Sequence, residues 1–342
     1  MDKERFLSSY PSGNISSEYD DASEKIINLI IDLTSGSTFL TSLFIFYLII
    51  YKSPPEMSEY KKYLFATVFF ENVDMVILSL GKPRLLYEFS TAYTSGLLPI
   101  QSKIWTKLTY IFWVSGLVWF ATSVTLIHVE RYFTIHRGIR KTNCFSPKRF
   151  IYFYLVLNIL TTLGVAISGI FGDVFTEGDI TLYFLTTKID GGREFFFQYP
   201  GAILMNNKFT LWVNIYYFSL VIALPCILIP LFTFLFLNAF TGFKMVHSKN
   251  YGDEMKTMHI TLLKLSIIQV LLLVIFATMP ASCLLMALIT KRKIARTGYM
   301  QCILTFYPLC DNLIILFFIR PYRNFICSFW KTNTNRELDI EM

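Results

Sequence analysis

Long apolar blocks alternate along the chain with shorter polar segments, and each block has the length of a membrane-crossing helix. A helix needs about 20 mostly apolar residues to cross the hydrocarbon core of a bilayer. Runs without Asp, Glu, Lys or Arg are Leu33–Tyr51, Leu108–Val129, Phe150–Gly172, Phe209–Phe243 and Leu265–Thr290, and Thr297–Ile319 contains only Asp311. The pattern predicts seven spans, near 26–51, 62–82, 104–127, 151–172, 211–237, 262–288 and 299–319.

Two of these spans depart from a simple apolar helix. Glu71 and Asp74 lie inside the second. The fifth belongs to a long charge-free run with Pro225 and Pro230 near its middle. That run is too short for two crossings and a turn, so it predicts one helix kinked at the prolines. A re-entrant hairpin is the alternative, and it would invert the sixth and seventh spans.

The composition agrees with a membrane protein. Hydrophobic residues make up 54% of the chain and charged residues 16%, with a mean hydropathy of +0.49. Soluble domains average roughly 45–50% apolar and about 25% charged residues. The charges, net +7, lie mostly outside the apolar blocks. This segregation argues against a soluble enzyme or a nucleic-acid binder and predicts an all-α membrane protein with a seven-helix bundle.

The polar segments predict the orientation. Residues 1–25 form a polar tail with no cleavable signal peptide, 26–319 the membrane domain and 320–342 a tail on the opposite side. With the N-terminus outside, the inner segments hold 16 Lys and Arg and the outer segments 13. The positive-inside rule therefore favours an outer N-terminus. Asn14 begins an Asn-Ile-Ser glycosylation sequon in the predicted outer tail.

An amphipathic helix is predicted after the last span. One helical face carries Tyr322, Phe325, Ile326, Phe329 and Trp330, and basic residues flank it. This pattern is typical of a helix lying along the inner membrane surface. Cys327 at the edge of that face is a candidate for acylation.

The residues typical of enzymes do not occur in catalytic spacings. The six cysteines and four histidines are scattered, and none forms a zinc-type, thioredoxin-type or His-Glu-x-x-His arrangement. Four cysteines fall within predicted spans, where a small buried hydrophobe is the usual role. We therefore expect no catalytic residues, no metal site and no cofactor.

The third span ends in Glu130-Arg131-Tyr132. An acid beside an arginine at the foot of a helix can form a charge-assisted pair. Opening of such a pair would release Arg131 toward another helix or a partner protein, which makes the motif a candidate switch. Two interfacial charges that extend toward water are the equally open alternative.

These features resemble G-protein-coupled receptors. Glu130-Arg131-Tyr132 is similar to the acid-Arg-Tyr motif of the rhodopsin-like class. The segment 51–61, followed by Asp74 and Lys82-Pro83, resembles the first inner loop and second helix of nematode serpentine chemoreceptors of the Str superfamily, classes H and I. Pro308-Leu309-Cys310-Asp311-Asn312 and 319–323 are similar to that superfamily's last-helix signature.

The resemblance implies a chemosensory, olfactory-type receptor. Its expected partners are a small-molecule ligand and a heterotrimeric G protein, with no nucleic acid. Its expected location is the plasma membrane, in the sensory cilium of a chemosensory neuron. Two departures distinguish it from rhodopsin-like hormone receptors. Segments 101–110 and 173–210 contain no cysteine for the usual outer disulfide, and 277–280 reads Ala-Thr-Met-Pro, without the usual aromatic residue.

Acids inside the membrane cost roughly 2.5–3.5 kcal/mol on insertion scales, and each is a functional-site hypothesis. Glu71 and Asp74 share one helical face. If that face turns inward, Asp311 or Asn312 can approach Asp74, and the resemblance implies a polar activation network there. At least one acid would then be protonated or bound to a cation. An interhelical hydrogen-bond staple is the alternative.

A ligand pocket is expected among the outer halves of spans 3, 5, 6 and 7. Aromatic and amide side chains there suit a small, mostly apolar ligand. The candidates are Tyr110, Trp113, Asn214, Tyr217, Met279, Cys283, Gln301 and Thr305. Packing or lipid contact is the competing interpretation of each.

Two functions follow as hypotheses. The first is a G-protein-coupled chemoreceptor for a small external ligand. The second is a ligand-gated channel or transporter of seven spans with the N-terminus inside. The side of the membrane on which residues 1–25 lie separates the two.

Overall fold

The structure is a computed structural model that describes residues 13–14, 21–53, 58–86, 91–96, 102–137, 147–172, 189–190, 192–204, 211–247, 253–278 and 297–328. Seven helices of 21 residues or more lie in these ranges, each at a predicted span. Spans 1 to 7 are Asp21–Tyr51, Ser58–Gly81, Lys103–Arg137, Pro147–Ile170, Leu211–His247, Asp253–Leu273 and Thr297–Phe318. Span 6 continues as a π-helical turn, Val274–Thr278.

Apolar length supports a membrane location for most of these helices. Among the described residues, spans 1 to 5 are each long and apolar enough to cross a bilayer. Span 7 meets the same test together with a short helix that follows it at a bend of 82°. In span 6 the apolar part is shorter, Leu263–Phe276, and the predicted remainder of that span, 279–288, lies outside the described residues.

Span 5 is one helix through both of its prolines. It runs from Leu211 to His247, ten residues beyond the predicted end, with Pro225 and Pro230 inside it. A continuous helix over this range leaves no turn for the alternative hairpin. Prolines are tolerated in membrane helices because neighbouring groups satisfy the freed backbone carbonyls. Span 3 also extends beyond its prediction, to Arg137, because apolar composition marks the hydrocarbon-facing part of a helix and not its ends.

Span 3 lies at the centre of the bundle. Of its most apolar window 61% is buried, against 22% for span 4, which faces outward. One apolar cluster joins spans 1, 2, 6 and 7 through residues such as Ile45, Leu64, Leu265 and Ile315. The exposed large side chains of the outer helices face lipid, the ordinary environment of such residues in a membrane protein.

A small antiparallel sheet covers one end of the bundle, which we call the sheet end. Its strands, in spatial order, are β2 (Pro83–Leu86), β3 (Thr91–Thr94) and β5 (Ile203–Leu204). A seven-residue loop helix, Gly192–Gln198, precedes β5. A separate parallel pair joins β1 (Gly13–Asn14) to β4 (Ile189–Asp190) and contains the sequon residue Asn14. The sequence analysis predicted none of these strands.

The opposite end, which we call the Arg131 end, carries the helix after span 7. This terminal helix, Arg320–Ser328, lies at 82° to span 7. The Tyr322 side chain is fully buried, and its hydroxyl lies 2.6 Å from the Ser53 hydroxyl at the end of span 1. The Lys52 ammonium lies 4.8 Å from the centre of the Phe325 ring. Cys327 is exposed on this helix, while Phe329 and Trp330 lie outside the described residues.

Candidate functional site

Glu130 and Arg131 connect span 3 to two other helices. Both side chains are only 4% exposed. The Arg131 guanidinium donates a hydrogen bond from Nη1 to the Ser266 hydroxyl of span 6, at 2.7 Å. The Tyr63 hydroxyl of span 2 donates to Glu130 Oε2 at 3.3 Å. The predicted switch residues are therefore buried bundle residues and not interfacial charges.

Span 5 joins the same junction from the other side. The Asn238 amide donates from Nδ2 to the backbone carbonyl of His128 at 2.9 Å, and Asn238 is buried. The Tyr132 and Phe234 rings meet edge to face, with centroids 5.5 Å apart. Residues 128–132 of span 3 thus bind spans 2, 5 and 6. We call this set of contacts the Arg131 junction.

Ser266, Asn238 and Tyr63 were not singled out from the sequence. Each is a common residue type in a membrane helix, and none stands beside the Glu130-Arg131-Tyr132 motif in the chain. Only the packing of the helices brings them to span 3. These residues could have been found from the sequence by one general rule, that a hydroxyl or amide side chain inside an apolar membrane helix commonly bonds to another helix.

A second polar cluster lies deeper in the bundle. Its members from the predicted network are the buried residues Glu71, Asp74, Asp311 and Asn312. Glu71 lies close enough to Asp311 for their carboxyl groups to interact directly. The Gln269 amide of span 6 donates to Asp311 Oδ2 at 3.2 Å. Spans 2, 6 and 7 therefore meet at Asp311, and Gln269 is a member that the sequence analysis missed.

Asp74 and Asn312 face other neighbours. The Asp74 carboxyl group packs directly on Gly116 of span 3, where a Cβ would collide with it. Asn312 turns toward span 1 and donates to the Ser42 hydroxyl at 2.7 Å and the Thr41 hydroxyl at 3.1 Å. The expected approach of Asp311 or Asn312 to Asp74 stays a prediction, and Glu71 is the acid of span 2 that interacts with Asp311.

Several carboxyl oxygens of this cluster are buried without a hydrogen bond of ordinary geometry. They are both Glu71 oxygens, Asp74 Oδ1 and Asp311 Oδ1. A buried carboxylate without compensation is too costly to persist, so such groups bind a proton or a counter-charge. Among the described residues, no group of three or more His, Cys, Asp or Glu side chains is arranged to hold a metal ion.

Three of the predicted ligand-pocket residues have described side chains, and all three are buried. Tyr110 and Trp113 are buried against Met75 and Leu78 of span 2, and the Tyr110 hydroxyl donates to the backbone carbonyl of Arg84. Thr305 faces span 1, and its hydroxyl accepts a hydrogen bond from Thr34 at 2.9 Å.

The remaining pocket candidates cannot be placed in that way. The side chains of Asn214, Tyr217 and Gln301 lie outside the described ones, although their backbones belong to spans 5 and 7. Met279 and Cys283 lie outside the described residues.

Two buried cations hold the sheet end together. Lys82, just after span 2, has a left-handed backbone with φ of 43°. Its ammonium forms an ion pair with Asp32 of span 1, with Nζ and Oδ2 2.7 Å apart. Arg84 is fully buried and pairs with Glu24, with Nε and Oε2 3.3 Å apart. Asn28 accepts a further bond from Arg84 Nη2 at 2.9 Å.

The segment between spans 4 and 5, which contains no cysteine over residues 173–210, is attached to the bundle through noncovalent contacts. The Thr106 hydroxyl of span 3 donates to the Gly201 carbonyl at 2.9 Å. β3 pairs with β5, and the Tyr93 ring packs on Phe195 and Tyr199, with centroids 5.1 and 4.7 Å away. The β3–β5 hydrogen bonds and the aromatic cluster thus attach the loop in place of the disulfide that rhodopsin-like receptors usually have.

The fold and these two polar clusters define a class of protein. Six long helices surround a central third helix, which carries an acid-Arg-Tyr motif with a buried Glu130 and Arg131, and acids lie between spans 2 and 7. This is the architecture of a seven-helix G-protein-coupled receptor.

The comparisons with known proteins give the family. The family model described as "Serpentine type 7TM GPCR chemoreceptor Srh" matches residues 22–332. The chain belongs to this family, which confirms the resemblance to serpentine chemoreceptors. Squid rhodopsin has a similar structure, with a TM-score of 0.53 over 92% of this chain and 87% of that chain. At 13% identity, that likeness shows the fold alone. No curated protein matches the chain in sequence.

Proposed function

We propose that this chemoreceptor lies in the plasma membrane of a sensory cilium, with its N-terminus outside, and activates a heterotrimeric G protein. A small, mostly apolar molecule is the proposed ligand. The apolar character of the proposed outer half of the bundle supports the ligand class, because the described side chains that pack there, such as Tyr110 and Trp113, are aromatic and aliphatic. The orientation places the Arg131 end at the cytoplasm, in agreement with the excess of Lys and Arg in that side's segments.

The observation that carries the proposal is the hydrogen bond from Arg131 to Ser266. It joins spans 3 and 6 at the proposed cytoplasmic end, so a G protein that docks between these helices has to break it. Ligand binding would favour the parted state, in which Arg131 meets the G protein. The Glu71–Asp311 contact supports a second point of control, because it connects span 2 to the span that lies beside span 6.

The partner of Arg131 on span 6 is a neutral hydroxyl, and this sets the expected strength of the contact between spans 3 and 6. A hydrogen bond to a charged group contributes about 1.5–3 kcal/mol. The loss of about 1.5 kcal/mol would shift the ratio of closed to open receptor roughly tenfold. We therefore expect Ser266→Ala to raise ligand-independent nucleotide exchange on a co-reconstituted G protein by about tenfold or more.

Arg131→Gln is the complementary variant. It removes the group that meets the G protein, and we expect it to abolish both basal exchange and exchange evoked by any hit from a panel of small apolar compounds. Thr261→Ala is a matched control, because the Thr261 hydroxyl bonds only to the Thr257 carbonyl within span 6. Undiminished signalling by a correctly folded Arg131→Gln receptor would refute the proposed mechanism.

A further inference from the structure

A small cavity opens between spans 2, 3 and 4 in the half of the bundle near the Arg131 end. It has a volume of about 100 Å³. Aromatic side chains form most of its wall, with Tyr63 and Phe70 from span 2, Trp119 from span 3 and Tyr154 from span 4. Of the lining residues, Tyr63 also belongs to the Arg131 junction.

The wall of the cavity is apolar in effect. Its polar groups bond to one another or to neighbouring helices, with Thr122 donating to Asn158 at 2.9 Å and Tyr154 donating to the Cys226 carbonyl at 3.2 Å. The Trp119 indole donates to Thr162 at 3.0 Å. With these groups satisfied, the cavity offers a ligand apolar contact and little hydrogen bonding.

The cavity is reached from the lipid. Leu155, one of its lining residues, is 42% exposed on the outer face of span 4. Phe69 and Tyr152, on the two helices that flank the opening, are 46% and 67% exposed. In a bilayer these side chains contact hydrocarbon, so an acyl chain has direct access.

Positive charges lie at the end of the same groove. Lys62 adjoins the lining residue Tyr63, and Lys148 and Arg149 precede the lining residue Ile151 by less than one helical turn. All three side chains are exposed. Basic residues at the cytoplasmic ends of adjacent membrane helices attract anionic lipid headgroups. The apolar groove and the basic residues at its end together fit one amphipathic molecule with an acidic headgroup.

Tyr63 connects this groove to the Arg131 junction. Its ring lines the cavity and its hydroxyl donates to Glu130 Oε2 at 3.3 Å. A chain that enters the cavity has to press on this ring. The position of Tyr63, and with it the environment of Glu130, therefore depends on what fills the groove.

We propose that an anionic phospholipid binds between spans 2, 3 and 4, with an acyl chain in the cavity and its headgroup beside Lys62, Lys148 and Arg149, and that it acts on the Arg131 junction through Tyr63. The regulatory half rests on the proposed function. The binding half does not, and the two halves are tested separately.

Trp119 provides a direct probe of binding. The full chain is reconstituted in phosphatidylcholine bilayers that contain a small fraction of bromine-labelled phosphatidylglycerol or, in parallel, bromine-labelled phosphatidylcholine. The difference in quenching between the wild type and Trp119→Phe isolates the Trp119 signal. We expect roughly tenfold stronger apparent binding of the phosphatidylglycerol, because several cations act on its headgroup. Equal quenching by the two lipids overturns the proposal.

Two sets of variants locate the site. Lys148→Gln with Arg149→Gln should remove the preference for phosphatidylglycerol, while Lys264→Gln, an exposed charge on span 6, should leave it unchanged. Ala66→Phe should fill the cavity and reduce quenching by both lipids, whereas Leu160→Phe on the lipid face of span 4 should not. A preference that survives the double charge variant contradicts the proposed headgroup site.

Tyr63→Phe tests the regulatory half. It keeps the ring in the wall but removes the hydroxyl that donates to Glu130. We expect quenching of Trp119 to persist and the dependence of basal G-protein activation on phosphatidylglycerol to disappear. Full lipid dependence in this variant overturns the coupling through Tyr63. A receptor that activates no G protein in any lipid contradicts the proposed function and leaves the quenching result to decide the binding site.

Discussion

At the scale of single residues, the polar clusters show how much a hydrocarbon environment restricts side-chain choice. Asp74 is buried, and its carboxyl group rests on Gly116 of the neighbouring helix. A glycine in a helix interior normally destabilises it by about 1 kcal/mol relative to alanine. At residue 116 glycine is needed despite this cost, because a Cβ there would collide with the Asp74 carboxyl group.

This close approach gives a prediction at Gly116. We expect Gly116→Ala to lower the thermal unfolding temperature of the purified receptor, because the new methyl group collides with Asp74. The measured quantity is the unfolding midpoint in detergent. Overpacking of this kind typically costs about 1–3 kcal/mol.

Gly36 provides the matched control, because a Cβ there meets nothing within 4 Å. Gly36→Ala should be neutral or slightly stabilising through helix propensity alone. Asp74→Ala combined with Gly116→Ala should recover much of the loss, since the collision partner is gone. Equal effects of the two glycine substitutions would show that the contact with Asp74 is unimportant.

At the scale of elements, the sheet end replaces a covalent bridge by many weaker contacts. Neither segment 101–110 nor segment 173–210 contains a cysteine. The loop is attached instead through β3–β5 pairing, the Tyr93 ring cluster and the Thr106–Gly201 hydrogen bond. A disulfide stabilises a fold mainly by constraining the unfolded chain, and these contacts do not do so. The loop is therefore held in place by the sum of these contacts, and the loss of any one of them should weaken its attachment.

Thr106 tests this attachment. Thr106→Val keeps the shape of the side chain but leaves the Gly201 carbonyl without its donor. We expect a loss of about 1–3 kcal/mol of stability, the typical cost of an unsatisfied buried group, and faster proteolysis of the loop that contains residue 201.

Thr261→Val is the control, because it removes only a bond within one helix. Reducing agent should leave the wild-type unfolding temperature unchanged. A marked decrease on reduction would mean that a disulfide elsewhere in the chain contributes to the stability. A Thr106→Val receptor as stable and protease-resistant as the control would argue against the hydrogen bond.

The elements also show where apolar pattern fails as a guide. The seven long helices lie where the apolar blocks predicted them, because a helix is the structure that satisfies its own backbone in lipid. Helix ends were missed by up to ten residues at span 5. The strands of the sheet end were missed entirely, since four-residue segments such as Pro83–Leu86 carry too little periodicity to indicate pairing.

At the scale of the whole molecule, the proposed orientation places the sheet end outside and the Arg131 end at the cytoplasm. Seven spans put the two termini on opposite sides of the membrane. The polar tail with Asn14 then lies with the sheet end, where Gly13–Asn14 pairs with Ile189–Asp190. This arrangement is the reverse of the one expected for the channel or transporter hypothesis.

Glycosylation tests the orientation. We expect a glycan on Asn14 when the chain is expressed in eukaryotic cells, visible as a mobility shift that glycosidase reverses. Asn14→Gln should remove the shift. A sequon engineered into residues 332–342 should remain unmodified, because that segment is proposed to be cytoplasmic. Modification of the C-terminal sequon with none at Asn14 would support the inverted topology.

The membrane environment of this protein and the identity of its polar groups can be predicted from the amino-acid pattern alone. Apolar length fixed the helices, because lipid allows few other structures. The sequence also identified Glu71, Asp74, Asp311 and the Glu130-Arg131-Tyr132 motif as functional candidates. Charged residues inside a membrane are energetically costly, and those that occur there usually have a function.

Which of these groups contact one another depends on how the helices pack, and this is seen only in the folded protein. Span 6 supplies Ser266 to Arg131 and Gln269 to Asp311, and neither pairing follows from the chain order. The rotation of each helix about its axis, and its depth relative to its neighbours, set these contacts. Both depend on side-chain packing along the full length of the bundle. Apolar periodicity shows which face of a helix is buried, but it does not show which neighbouring residues pack against that face.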